Sequence, residues 1–289
     1  MMALAVCVMG VCLACAGAKR ALLVGISHYP KHADATLTWP SIHGANDVAL
    51  LKPTLRAQGF TVATLTNFQA TAACIRSALK ALAAESRAGD LVYIHFSGHG
   101  QAYEDLSGDE DDGWDEAIVP YDAMARYRKG VYEGKNHIID DELEGYITAI
   151  RRKVGKSGFV YLTLDACHTG GSSRGDEMED DELFVRGTDH GFSPHGKTYA
   201  PKIDRRGNMK VRKQPGWSGV CILEACRAYQ TNTEIRQGGK YYGALSYYVN
   251  LALQKTTLTA DTRWVETVRG MMNKDKRLIK QNMVVEKTD

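Results

Sequence analysis

Charge of one sign is what this chain lacks. Its 36 Lys and Arg stand against 34 Asp and Glu, a net charge of +2 over 289 residues. Composition therefore gives no electrostatic reason to expect a nucleic acid or an anionic membrane as partner. Cysteine is scarce as well: of seven, only Cys74, Cys167, Cys221 and Cys226 lie beyond residue 18. So few in so long a chain exclude a disulfide-stapled miniature fold, and Cys221 and Cys226 sit in an apolar run where buried thiols are the ordinary state. No internal repeat is visible. The longest uncharged stretch, Met1 to Ala18, lacks the basic start of a secretory signal and is at the short edge of a membrane span. Its end, Ala16-Gly17-Ala18 before Lys19-Arg20, has the small-residue pattern of a cleavage site. The expectation is a signal peptide over 1–18 and a secreted, periplasmic or lumenal protein, with an anchored or cytoplasmic one as the alternative.

What remains, 44% hydrophobic and 24% charged, is an ordinary globular composition. Short apolar runs at 20–27, 60–66, 90–96, 158–164 and 219–225 read as buried parallel strands. Between and after them, 44–58, 70–87, 140–153, 243–254 and 261–273 carry apolar residues at helical spacing, with Pro53 inside the first. Strand and helix in turn predict one α/β domain, a mostly parallel central sheet with helices on both faces.

In such sheets the ligand sits at the carboxyl ends of the strands. Two motifs fall there, Phe96-Ser97-Gly98-His99-Gly100 and Leu164-Asp165-Ala166-Cys167-His168-Thr169-Gly170. A histidine or a cysteine after a strand is, alone, more often structural. Together, on neighbouring strand tips, they can be a Cys/His pair in which imidazole helps form the reactive thiolate. The flanking glycines leave room for a peptide backbone, and the N–H groups of Gly100 and Cys167 are candidates for an oxyanion hole. His168 is the weaker base candidate, because adjacent side chains diverge.

The two motifs resemble the histidine and cysteine motifs of the metacaspases. The stretch from Gly100-Gln101 through Glu104 to Glu116 and on to Val119-Pro120 is similar to the acidic insert of type I metacaspases, and Ile139-Asp140-Asp141-Glu142-Leu143 to the segment after it. The likeness runs from Lys19 to about Glu286. It implies a caspase-like three-layer sandwich over 19–289, divided into a large-subunit-like part (19–171), a basic linker (172–216) and a small-subunit-like part (217–289). It also implies a monomeric cysteine endopeptidase that cuts peptides or proteins after Arg or Lys through Cys167 and His99, with no nucleic acid and no organic cofactor involved. Asp165, two residues before Cys167, favours a cationic P1 side chain; by resemblance Asp47 and Ser97 complete that S1 pocket.

The carboxylate run invites a hard cation, although it departs from an EF-hand at Glu110, where a glycine is needed. The resemblance implies activating calcium, held by Asp115, Asp140 and Asp141, with Asp176 an approximate further ligand. The segment Gly171 to Gly216, rich in Arg and Lys, reads as a long exposed linker, and the resemblance makes it a place of self-processing. A catalytically silent caspase-like binding module and an Arg/Lys protease of the clostripain or gingipain type are the alternatives.

Overall fold

The computed structural model describes residues 17–168, 183–203 and 209–288. Residues 1–16 of the expected signal peptide, Thr169 to Gly171 and Asp176 lie outside these residues. The five expected strands are present: β1 (Lys19–Gly25), β2 (Thr61–Thr66), β3 (Leu91–Ser97), β7 (Phe159–Asp165) and β9 (Gly219–Glu224). Among the described residues five α-helices accompany them, α1 (Gly44–Ala57), α2 (Ala72–Glu85), α3 (Asp140–Val154), α4 (Ala244–Leu253) and α5 (Trp264–Lys274). Their ends follow local chemistry. Thr71 caps α2 by accepting from the Cys74 N–H, and α3 opens on Asp140, Asp141 and Glu142 and closes on Arg151, Arg152 and Lys153, complementing its dipole at both ends.

The central sheet has the order β2-β1-β3-β7-β9-β12-β8, where β8 is Met209–Lys210 and β12 is Val284–Lys287. The first five strands are mutually parallel; β12 runs antiparallel to β9. Successive side chains of each strand serve opposite cores. Ala21, Leu23, Tyr93, Tyr161 and Leu223 join Val48, Leu51, Val249 and Val268 of α1, α4 and α5 on one face. Leu22, Val24, Ile94, Val160 and Leu162 join Ile75, Leu79, Leu143 and Ile147 of α2 and α3 on the other. This is the three-layer α/β sandwich expected from the sequence, with helices on both faces of a mostly parallel sheet.

Shorter strands went unanticipated. β4 (Gly100–Glu104), β5 (Trp114–Ile118) and β6 (Ile138–Ile139) form a small sheet, and β10 (Glu234–Gln237) with β11 (Lys240–Gly243) a hairpin. The described part of the linker is mostly exposed from residue 195 on, as expected, but residues 184–194 depart from that expectation. Phe192 is fully buried and bonds backbone to backbone with Ala102 and Glu104, and Arg186 has no exposed surface. Apolar and ionic partners draw residues 184–194 into the domain.

Candidate active site

β3 and β7 lie side by side with Ser97 opposite Asp165, so the two motifs leave the sheet together. His99 is buried between aromatic rings, stacked on Trp39 at 4.9 Å between centroids and tilted against Tyr29 at 5.2 Å. Its Nε2 lies 2.9 Å from the carbonyl oxygen of Pro40. A carbonyl only accepts, so Nε2 carries the hydrogen and Nδ1 keeps the lone pair in the neutral ring. Nδ1 is buried with no hydrogen-bond partner. Burial lowers the His99 pKa to about 4, which keeps the ring neutral at physiological pH.

Cys167, 1% exposed, donates from Sγ to the carbonyl of Gln230 at 2.7 Å. Cys226 in turn donates to Cys167 Sγ at 3.2 Å; that bond and burial push the Cys226 thiol well above its usual pKa. The two expected catalytic side chains thus follow the ends of the neighbouring strands β3 and β7, while the thiol is directed at Gln230. His168 serves otherwise: burial would lower its pKa, but Glu116, 3.1 Å away, raises it to about 9. It is a paired cation and no base.

Asp47, Ser97 and Asp165 do converge, all fully buried. Ser97 Oγ donates to Asp47 Oδ2 at 2.6 Å, while Asp165 accepts from Asn232 Nδ2 at 2.8 Å and from Ser246 N and Oγ at 2.7 and 2.6 Å. Between the carboxylates lies the guanidinium of Arg186, 2.8 Å from Asp47, 3.4 Å from Asp165 and 2.8 Å from Glu234. Burial pushes Asp47 up to about 7 although the arginine pulls the other way. Burial would raise Asp165 too, but Arg186, Asn232 and Ser246 hold it below the ordinary carboxylate value. Gly243 closes the chamber: a Cβ there would meet Asp165 Oδ2 at 2.2 Å and Arg186 Nη1 at 2.5 Å.

The backbone of the same segment follows a pattern of its own. The Arg186 carbonyl oxygen accepts from the N–H of Gly100 and of Cys167, each at 3.0 Å, the two donors expected to face an oxyanion. Arg186 N donates to Asn232 O and Glu234 N donates to Phe184 O, both at 3.0 Å, and Val185 forms an antiparallel bridge with Thr233. Residues 184–186 therefore lie as an added strand against 232–234. Sequence reasoning missed Pro40, Gln230, Asn232 and Glu234, which come from loops and the late hairpin. It counted Arg186 among many basic linker residues without a means to single it out.

Of the expected metal ligands, Asp115 comes together with Asp105 and Asp109, their carboxylate oxygens within 4.8 Å of one another. Asp140 and Asp141 open α3, where Asp140 Oδ1 accepts from Glu116 N at 3.3 Å. Burial, then the charge of Asp140 and its acidic neighbours, raises Asp115 to about 7; burial, then Glu116, raises Asp140 to about 6. Negative charge is concentrated here beyond what local hydrogen bonds neutralise.

The caspase-domain family model matches residues 18–281 of the chain. The chain belongs to this family of peptidases. It is 31% identical over 296 residues to metacaspase-1B of Aspergillus fumigatus, covering 90% of this chain and 68% of the relative. To metacaspase-1 of Mycosarcoma maydis it is 26% identical over 265 residues, covering 80% and 61%. A metacaspase-like member is the result. The chain spans about three-fifths of the length of the first curated relatives it matches. The caspase domain is also similar in fold to caspase-1 from Spodoptera frugiperda, with a TM-score of 0.55 at 14% identity over 93% of this chain and 88% of that one.

Proposed function

We propose that the chain is a cysteine endopeptidase cleaving after Arg or Lys, and that its first substrate is its own Arg186–Gly187 bond. One observation carries this reading: an arginine side chain rests in a chamber of three carboxylates while its carbonyl accepts from Gly100 N and Cys167 N. A P1 residue awaiting attack needs that combination of a held side chain and a polarised carbonyl. Three buried carboxylates would repel an acidic P1 side chain, and Asp at P1 is excluded on that ground.

Attack requires the Cys167 sulfur to leave Gln230 and turn to the carbonyl carbon. His99 Nδ1 takes the thiol proton, the sulfur–carbon bond forms, and the oxyanion is held by the two N–H groups. Collapse breaks the C–N bond as the imidazolium returns its proton to the leaving amine. Water then hydrolyses the thioester, with Nδ1 as base, to free the carboxylate and restore the thiol. The Pro40 carbonyl fixes the ring tautomer throughout.

Calcium is proposed as an activating ion. Asp115 with Asp105 and Asp109, backed by Asp140 and Asp141 on α3, has the oxygen donors and the crowded negative charge that such a cation needs. Asp105, Asp109 and Asp115 would hold it, and it would supply positive charge against the carboxylates of Asp140 and Asp141.

The test is hydrolysis of fluorogenic peptides with Arg, Lys or Asp at P1, with and without calcium, against a Cys167→Ala control. Turnover of Arg and Lys peptides, absent in the control, is expected. No cleavage of either overturns the peptidase reading, and Asp preference overturns the pocket assignment.

A further inference from the structure

The chamber for Arg186 is the deepest part of a longer groove, and Phe184 occupies a second part of it. Its ring stands edge-on to His43, 4.5 Å between centroids at 89°, and edge-on to Tyr241, 4.8 Å at 66°. His43 and Tyr241 are themselves stacked at 5.1 Å and 23°, making one continuous aromatic surface that lines the cleft. Neither ring is loose. His43 stands just before α1 and is bonded to Glu234 twice, its backbone N–H at 2.8 Å and its Nδ1 at 2.6 Å, and Tyr241 O accepts from Asn46 at 3.0 Å. Glu234 also accepts from Arg186 Nε and Nη2, so one carboxylate sets both the arginine chamber and the aromatic cleft. Val185 between them is half-buried, and Leu183 before them is 56% exposed.

Resting on the peptidase reading above, we propose that His43 and Tyr241 form an S3 subsite for aromatic side chains. The substrate class is thus a peptide with Phe, Tyr or Trp at P3 and Arg at P1, with little selection at P2 and P4. Two edge-to-face ring contacts in a partly desolvated cleft, added to buried apolar area, are worth on the order of tenfold or more in affinity. The contacts are made two residues from the scissile bond, so they position the carbonyl and do not take part in bond making.

The experiment uses the full chain and its Phe184→Ala/Arg186→Ala variant, in which neither the ring nor the guanidinium that holds the segment remains and added peptide can compete for the groove. The fluorogenic series Phe-Val-Arg, Ala-Val-Arg and Phe-Ala-Arg, with calcium present, gives kcat/KM for each. Phe over Ala at P3 is expected to raise kcat/KM about tenfold, with Val and Ala at P2 within about threefold. Tyr241→Ala should bring the P3 ratio toward one, while Tyr241→Phe, which keeps the ring, should retain it. Where Tyr241→Ala yields no folded protein, the ratio in the parent chain decides. Arg peptides cleaved without regard to P3 overturn this subsite and leave the peptidase reading standing. No Arg peptide cleaved at all overturns that reading, and the subsite with it.

Discussion

Arg186 is the residue on which the site turns. Its guanidinium is fully buried among Asp47, Asp165 and Glu234. A buried cluster stripped of its one cation is left with uncompensated charge, which typically costs about 3–5 kcal/mol. Arg186→Met should therefore lower the melting temperature of the precursor and also abolish cleavage at 186–187; calorimetry and N-terminal sequencing of the fragments read the two effects separately. Retained stability would mean that the carboxylates are protonated already. His99 gives a pH prediction. Its depressed pKa, about 4, means that acid must reach that range before Nδ1 is lost as a base. Asp47, pushed up to about 7, is instead needed as an anion to receive P1, so protonation below that value weakens binding. The Arg186 guanidinium lowers the Asp47 value, so in a chamber without it Asp47 protonates at higher pH still; on acidification KM for Arg peptides should rise from above 7 while kcat holds until the pH nears 4. Asp47→Asn should remove the KM limb and leave the kcat limb.

At the scale of elements, the strands that position the motifs were readable because both of their faces are buried, which leaves continuous apolar runs. Ser97, Asp165, His99 and Cys167 could be placed at strand tips for that reason. β4, β5, β10 and β11 are short and mixed in polarity, so no periodicity marked them, and Glu234 and Asn232 were invisible with them. Pro40 acts through its backbone carbonyl, a function that no side-chain pattern encodes. Gly243, where β11 meets the start of α4, gives the sharpest element-level test. Gly243→Ala puts a methyl group within contact of both Asp165 and Arg186. It should cost about 1–3 kcal/mol of stability by overpacking and reduce Arg-peptide kcat/KM at least a hundredfold. Unchanged activity with an unchanged circular dichroism spectrum would show that the chamber is wider than the structure has it.

For the whole molecule, two apolar cores share one sheet, and the pieces that build the site come from both ends of the chain. Asp47 enters from α1 beside the early strands; Glu234 and Gly243 enter from the hairpin just before α4. The alternation of strand and helix made this architecture legible, but the burial of Arg186, Thr188 and Phe192 was not, because the composition around them is that of a solvated loop. Only tertiary partners, the carboxylates for Arg186 and the β4 backbone for Phe192, override it.

The Phe184-to-Arg186 strand is held in the groove by its own chain, so its local concentration is a property of the molecule and not of the solution. A tethered ligand of this kind competes at an effective concentration in the millimolar range, whatever the dilution. Processing at Arg186–Gly187 should then be first order, with a half-time unchanged over a hundredfold range of protein concentration. Added peptide should be refused for as long as the Arg186 guanidinium is held by Asp47, Asp165 and Glu234. A rate that climbs in proportion to concentration would show that one molecule cuts another. First-order decay would make each chain its own timer, with a delay written into its sequence.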